Sequence, residues 1–158
     1  MFTMKQQSGF TLIELVIVII MLAILSVSAL PKFLDLQSDA RQGTMQGLKA
    51  ALESASTFTY AKARMENLGD RALETLSSGV KIRYGYPRAT QTELKKVLDF
   101  SEDDWKLSSP SNAVIFTIAS ETDDLTNTQI YDESICKLTY NQAEKDERPV
   151  IAISGCND

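Results

Sequence analysis

The chain opens on a nearly uninterrupted apolar run and only afterwards settles into mixed patterning. Residues 10–30 read FTLIELVIVIIMLAILSVSAL and carry one ionisable side chain, Glu14. As a helix this stretch spans about 32 Å, which matches the roughly 30 Å of a bilayer's hydrocarbon core. Fourteen of these residues are Leu, Ile, Val or Phe. They contribute roughly −4 to −8 kcal/mol of insertion free energy, against about 3 kcal/mol for a carboxylate at mid-bilayer and less near a helix end. Insertion wins. From residue 32 to about residue 65 the pattern turns one-sided. Phe33, Leu36, Ala40, Met45, Leu48, Leu52, Ala55 and Phe58 recur mostly at spacings of three and four, opposed by Asp35, Asp39, Arg41, Lys49 and Glu53. That pattern predicts an amphipathic helix packed on something else.

After Leu68-Gly69-Asp70 the texture changes. Residues 71–76 read as a short helix, 80–86 alternate as a strand, and 92–100 form another short helix. Residues 113–119 are the strongest strand, apolar enough to be buried on both faces, with weaker strands at 135–140 and 150–154. A helix first and strands afterwards, joined by short turns, predicts an α+β fold with an antiparallel sheet.

Composition removes several functions. The chain of 158 residues has no histidine, so it offers no His-based triad and no His-containing zinc site. Its 16 Lys and Arg against 21 Asp and Glu make it mildly acidic, which argues against nucleic acid as a partner. No nucleophile–base spacing stands out, no enzyme activity is expected, and no cofactor is needed. The acidic clusters Glu102-Asp103-Asp104, Glu121-Thr122-Asp123-Asp124 and Asp132-Glu133 lack the regular spacing of a calcium loop and read as solvated loop charge. Trp105 reads as a core or half-exposed packing residue.

Two simple explanations of the apolar run stay open. A secretory signal peptide cut after Val27-Ser28-Ala29 would release a soluble binding domain starting at Leu30, and a plain single-pass anchor would ignore Glu14. An isolated carboxylate at membrane depth needs a partner, however, and the run holds no Lys or Arg. A cut just before Phe10 would create an α-amino group able to serve.

Gly9-Phe10-Thr11-Leu12-Ile13-Glu14, after a short leader with one basic residue, resembles the processing motif of type IV prepilins. The resemblance implies that a prepilin peptidase cuts between Gly9 and Phe10 and N-methylates Phe10. It also implies that Glu14 pairs with the terminal amine of a neighbouring subunit during filament assembly. Pro31 matches the family's helix-kinking proline, although Ala23 stands where many members carry glycine. Pro31-Lys32-Phe33, Leu48-Lys49-Ala50-Ala51-Leu52 and Tyr84-Gly85-Tyr86-Pro87 look like the mannose-sensitive haemagglutinin (MSHA) branch of type IVa pilins.

The organisation this implies is a leader over 1–9, a transmembrane and filament-core helix over 10–30, its amphipathic continuation over 31–66, and a globular head over 67–158. The long helix would pack on an antiparallel sheet, as in type IV pilins. Cys136 and Cys156, the only cysteines, lie downstream of the apolar run and suggest one disulfide in an exported domain, two free thiols being the alternative. Residues 141–148 inside that loop are a candidate contact region. The implied partners are copies of the chain in a helical filament, the prepilin peptidase, the inner-membrane pilus assembly machinery, and the membrane before assembly. The implied locations are the inner membrane with the head in the periplasm, then an extracellular pilus used for attachment. A minor pilin of the same system and a type II secretion pseudopilin are the nearest alternatives.

Overall fold

The computed structural model describes residues 9–122, 132 and 134–156, leaving aside the side chains of Leu30, Pro31, Phe33, Leu34, Asp35, Glu121 and Thr122. Two units, Met1–Gln37 and Ser38–Asp158, are described in turn.

In the first unit the helix α1, which runs over Leu12–Met65, begins immediately after Thr11 and continues through Pro31 without a break in its assignment. Every large apolar side chain described from Phe10 to Val27 is exposed, from 36% at Val16 to 82% at Phe10. Leu12–Ala29 is the one described segment long and apolar enough to cross a membrane.

In the second unit α1 continues to Met65, where the amphipathic pattern predicts its end. Its buried face carries Met45, Leu48, Leu52, Ser56, Thr59 and Ala63. The first three are as the apolar spacing predicts. Phe58 is not: it is 74% exposed, and Ala40 and Leu36 are exposed as well. The helix keeps its phase from Leu52 through Ser56 and Thr59, two small hydroxyl residues that a count of apolar positions skips, so the buried stripe passes Phe58 by.

Sheet A is antiparallel, ordered β1 (Glu74–Thr75), β2 (Lys81–Arg83), β3 (Tyr86–Pro87). Residues 71–76 are therefore not helical, and the predicted strand over 80–86 is a hairpin. Tyr84 and Gly85 turn the chain with φ of 50° and 83°, the two positive values that a two-residue hairpin of this kind requires. The short helix α2 (Gln91–Val97) follows. Its Glu93 is buried, accepts the Lys81 backbone N–H at 2.7 Å and pairs with Lys96 Nζ at 3.0 Å, which ties α2 to β2.

Sheet B is antiparallel in chain order: β4 (Trp105–Ser108), β5 (Ala113–Ile118), β6 (Lys137–Asn141) and β7 (Ile151–Ser154), with one helical turn, α3 (Ala119–Thr122), after β5. β5 is buried on both faces, as its unbroken apolar run predicts. The main core forms between this sheet and α1. Met45, Leu48 and Leu52 pack with Val114, Phe116, Leu138, Tyr140 and Ile151, and Phe116 meets Phe100 edge-on at 5.6 Å. A smaller cluster joins Ala63 of α1 to Leu76, Val80 and Ile82 of sheet A. Cys136 and Cys156 form a disulfide across the starts and ends of β6 and β7.

Candidate functional site

The first turn of α1 is built by a reciprocal cap. Thr11 stands at the N-cap position and Glu14 three residues on. The Glu14 backbone N–H donates to Thr11 Oγ1 at 3.3 Å, while the Thr11 backbone N–H and hydroxyl donate to Glu14 Oε2 at 3.4 and 3.3 Å. This is the Thr-x-x-Glu capping box, which satisfies two amides that a helix start leaves open. Both residues are exposed. The Glu14 carboxylate therefore lies over the positive end of the helix, beside the amide that follows Phe10. Gly9 and Phe10 precede the helix and are likewise exposed. Charge alone points only to Glu14, whereas the Thr-x-x-Glu spacing of Thr11-Leu12-Ile13-Glu14 also marks Thr11 as a participant.

The disulfide is present. Pro31 lies within α1, but its side chain falls outside the described residues. Glu102, Asp103 and Asp104 sit on the exposed turn before β4, where Lys95 pairs with Glu102 and holds its carboxyl below the ordinary range. Asp123, Asp124 and Glu133 lie outside the described residues. Asp132 is exposed, and the Ser134 backbone N–H and hydroxyl hold its carboxyl low. Among the described residues no group of three or more His, Cys, Asp or Glu side chains is placed to hold a metal.

The head also carries a cleft of about 320 Å³ that sequence reading did not foresee. Tyr60 of α1 stacks on Tyr86 with ring centroids 4.8 Å apart, and Tyr84 completes an aromatic floor rimmed by Asp70 and by Lys145, Asp146, Glu147 and Arg148. The hairpin turn reaches Tyr60 because residue 85 is glycine: a Cβ there would fall 2.6 Å from Tyr60 Cδ2 and 3.0 Å from the Gly69 carbonyl oxygen. Below this region Tyr140 is buried, donates its hydroxyl to the Pro87 carbonyl at 2.9 Å, and has its pKa pushed up by burial.

Residues 4–30 match the prokaryotic N-terminal methylation motif of the type IV pilin family. The chain is similar to the type IV narrow pilus major component PilA5 of Thermus thermophilus, with 43% identity over 56 residues. The match covers 35% of this chain and 48% of that relative, so the chain spans about half the length of the curated relative it matches. No solved structure matches the chain. The arrangement of a long apolar N-terminal helix leading into an α+β head with antiparallel sheets is type IV pilin-like.

Proposed function

We propose that this protein is a structural subunit of a type IV pilus, polymerising through its N-terminal helix into a surface filament. One observation carries the reading: an apolar helix whose described large side chains from Leu12 to Val27 are all exposed begins two residues after Phe10, within a matched methylation motif. Such a surface is tolerated in lipid before assembly and is covered by neighbouring helices afterwards, so the transfer between them costs little hydrophobic free energy.

In this reading prepilin peptidase hydrolyses the Gly9–Phe10 bond and Phe10 is N-methylated. The subunit waits in the inner membrane with its disulfide-bonded head in the periplasm, and the assembly machinery then adds it to an extracellular fibre. Glu14 meets the Phe10 amine of a neighbour. Pro31 kinks the helix where it leaves the membrane, and no cofactor or catalysis is involved. The Tyr84-Gly85-Tyr86-Pro87 segment, which forms the hairpin turn, resembles the MSHA branch, and a role in attachment rests on that resemblance.

Intact-mass measurement and N-terminal sequencing of the exported protein test the processing step. A chain starting at N-methylated Phe10 supports the reading, and one starting at Leu30 refutes it. Glu14→Ala is expected to leave membrane insertion intact while abolishing sheared filaments. Normal polymerisation of that variant would remove Glu14 from its assembly role.

A further inference from the structure

Two surface features of the head lie at opposite edges of sheet B. The first is a groove of about 500 Å³ beside the edge strand β4. Gly47 and Ala51 of α1 line one side and Phe100 and Trp105 the other, with the exposed Asp99 and Asp104 on the rim. The groove is open at Gly47, where a Cβ would meet nothing within 4 Å. The second is a ridge entering the other edge strand, β7. Its Val150 is 60% exposed beside the exposed Arg148, and Arg148 and Pro149 form the rim of a hollow whose other side is lined by Glu53 and Thr57 of α1. Glu53 itself pairs with Lys49, and Asp146 and Glu147 of the same loop line the tyrosine cleft.

The two features complement one another. One is a hollow with aromatic walls and a carboxylate rim, and the other is an apolar knob beside a guanidinium. Their positions on α1 fix how they could meet. At 3.6 residues per turn, Thr44 and Ala51 of the groove lie about 150° around the helix from Glu53 and Thr57 of the ridge. A chain therefore cannot seat its own ridge in its own groove. Two copies joined this way leave one free groove and one free ridge, so the contact is heterologous and propagates as an open array. The groove lies alongside positions 44–51 of α1 and the ridge alongside 50–57. That six-residue offset corresponds to about 9 Å along the helix axis.

We propose that the ridge of residues 148–150 seats in the Trp105 groove of a parallel second copy of this chain. Val150 packs against Phe100 and Trp105, and Arg148 meets Asp99 and Asp104. The contact steps the two heads by about 9 Å along the α1 axis. It rests on the filament reading above and adds to it: the apolar helices hold subunits together, and this small polar-rimmed contact selects the register between heads.

The test uses the full-length chain in a pilus-forming host lacking the wild-type copy. Asp104→Lys and Arg148→Glu are each expected to lower sheared-filament yield about tenfold, the loss of roughly one charge pair. The two together are expected to restore most of the yield. Urea midpoints read from Trp105 fluorescence confirm that the single variants fold. Asp104→Cys combined with Val150→Cys is expected to give a ladder of oxidised oligomers in the filaments that still form, which neither single cysteine gives. Filaments indifferent to the charge changes, a double charge variant no better than the singles, or the absence of a ladder would overturn the proposal. A wild-type chain that forms no filaments would instead overturn the pilin reading, and this contact with it.

Discussion

The clearest quantitative consequence of the structure concerns the Cys136–Cys156 bridge. It closes a loop with a sequence separation of 20 that contains β6, the turn after it and β7. In the chain-entropy description, closing a loop of this length removes about 11 cal/mol/K from the unfolded chain, or about 3.3 kcal/mol at 25 °C. A domain of this size has about 5–15 kcal/mol in total, so the bridge supplies a large share. With a urea slope of about 2 kcal/mol/M, its removal is expected to lower the unfolding midpoint by about 1.5 M. The slope should rise slightly, because the unlinked unfolded chain exposes more surface. Trp105, the single tryptophan, is packed against the main core and reports the transition by fluorescence. The full chain in detergent would be compared oxidised, reduced, and as Cys136→Ala/Cys156→Ala. A midpoint that moved by less than about 0.3 M in both altered forms would refute the reasoning, since it would mean that the unfolded loop gains almost no freedom on release.

Two further changes probe the head at single positions. Gly85→Ala should destabilise it by about 2–4 kcal/mol, combining a left-handed φ with a clash against the Tyr60 ring, and a thermal midpoint within experimental error of wild type would remove that close approach as a constraint. Tyr140 holds its proton more tightly folded than unfolded, so its contribution is full below pH about 10, its ordinary pKa, and declines by about 1.4 kcal/mol per pH unit above it. Tyr140→Phe should flatten the alkaline arm of the stability curve at a neutral-pH cost of about 0.5–1.5 kcal/mol, and an unchanged alkaline slope would show that burial of this hydroxyl is not felt.

Elements were legible in the sequence where one physical signal dominated. The end of α1 at Met65, the doubly buried β5 and the existence of strands near β6 and β7 follow from periodicity and from apolar runs. Errors arose where a rule based on apolar residues met a polar solution. Ser56 and Thr59 continue the buried face of α1 without being apolar, so an apolar count places Phe58 inward although it points out. Residues 71–76 have helix-forming side chains, but β1 is fixed by pairing of Glu74 with Ile82, a contact that no local propensity encodes. β4 carries no clear period of its own, because its register with β5, Trp105 opposite Ile118, assembles from a short mixed segment. The break of 80–86 into two strands depends on positive φ at both Tyr84 and Gly85, of which only the glycine announces itself.

In the proposed pilus subunit, the capping box changes how Glu14 is tolerated, and with it the energetics of assembly. Placed at mid-bilayer, the carboxylate would cost about 3 kcal/mol. At the start of α1 it instead accepts from Thr11 twice and faces the helix's positive end, so its cost before assembly is reduced within its own chain. These bonds, at 3.3–3.4 Å, lie at the long and weak limit of hydrogen bonding. The carboxylate is thus held near the helix end without being strongly committed there. A charged amine from a neighbouring chain would offer a charge-assisted bond, roughly twice as strong as a neutral one. Because the cap belongs to each chain and the stronger partner belongs to the next one, the exchange favours association most in low-dielectric surroundings, where the difference between a weak dipolar contact and an ion pair is largest. The same residue can therefore permit a stable membrane-bound subunit and bias it toward a neighbour.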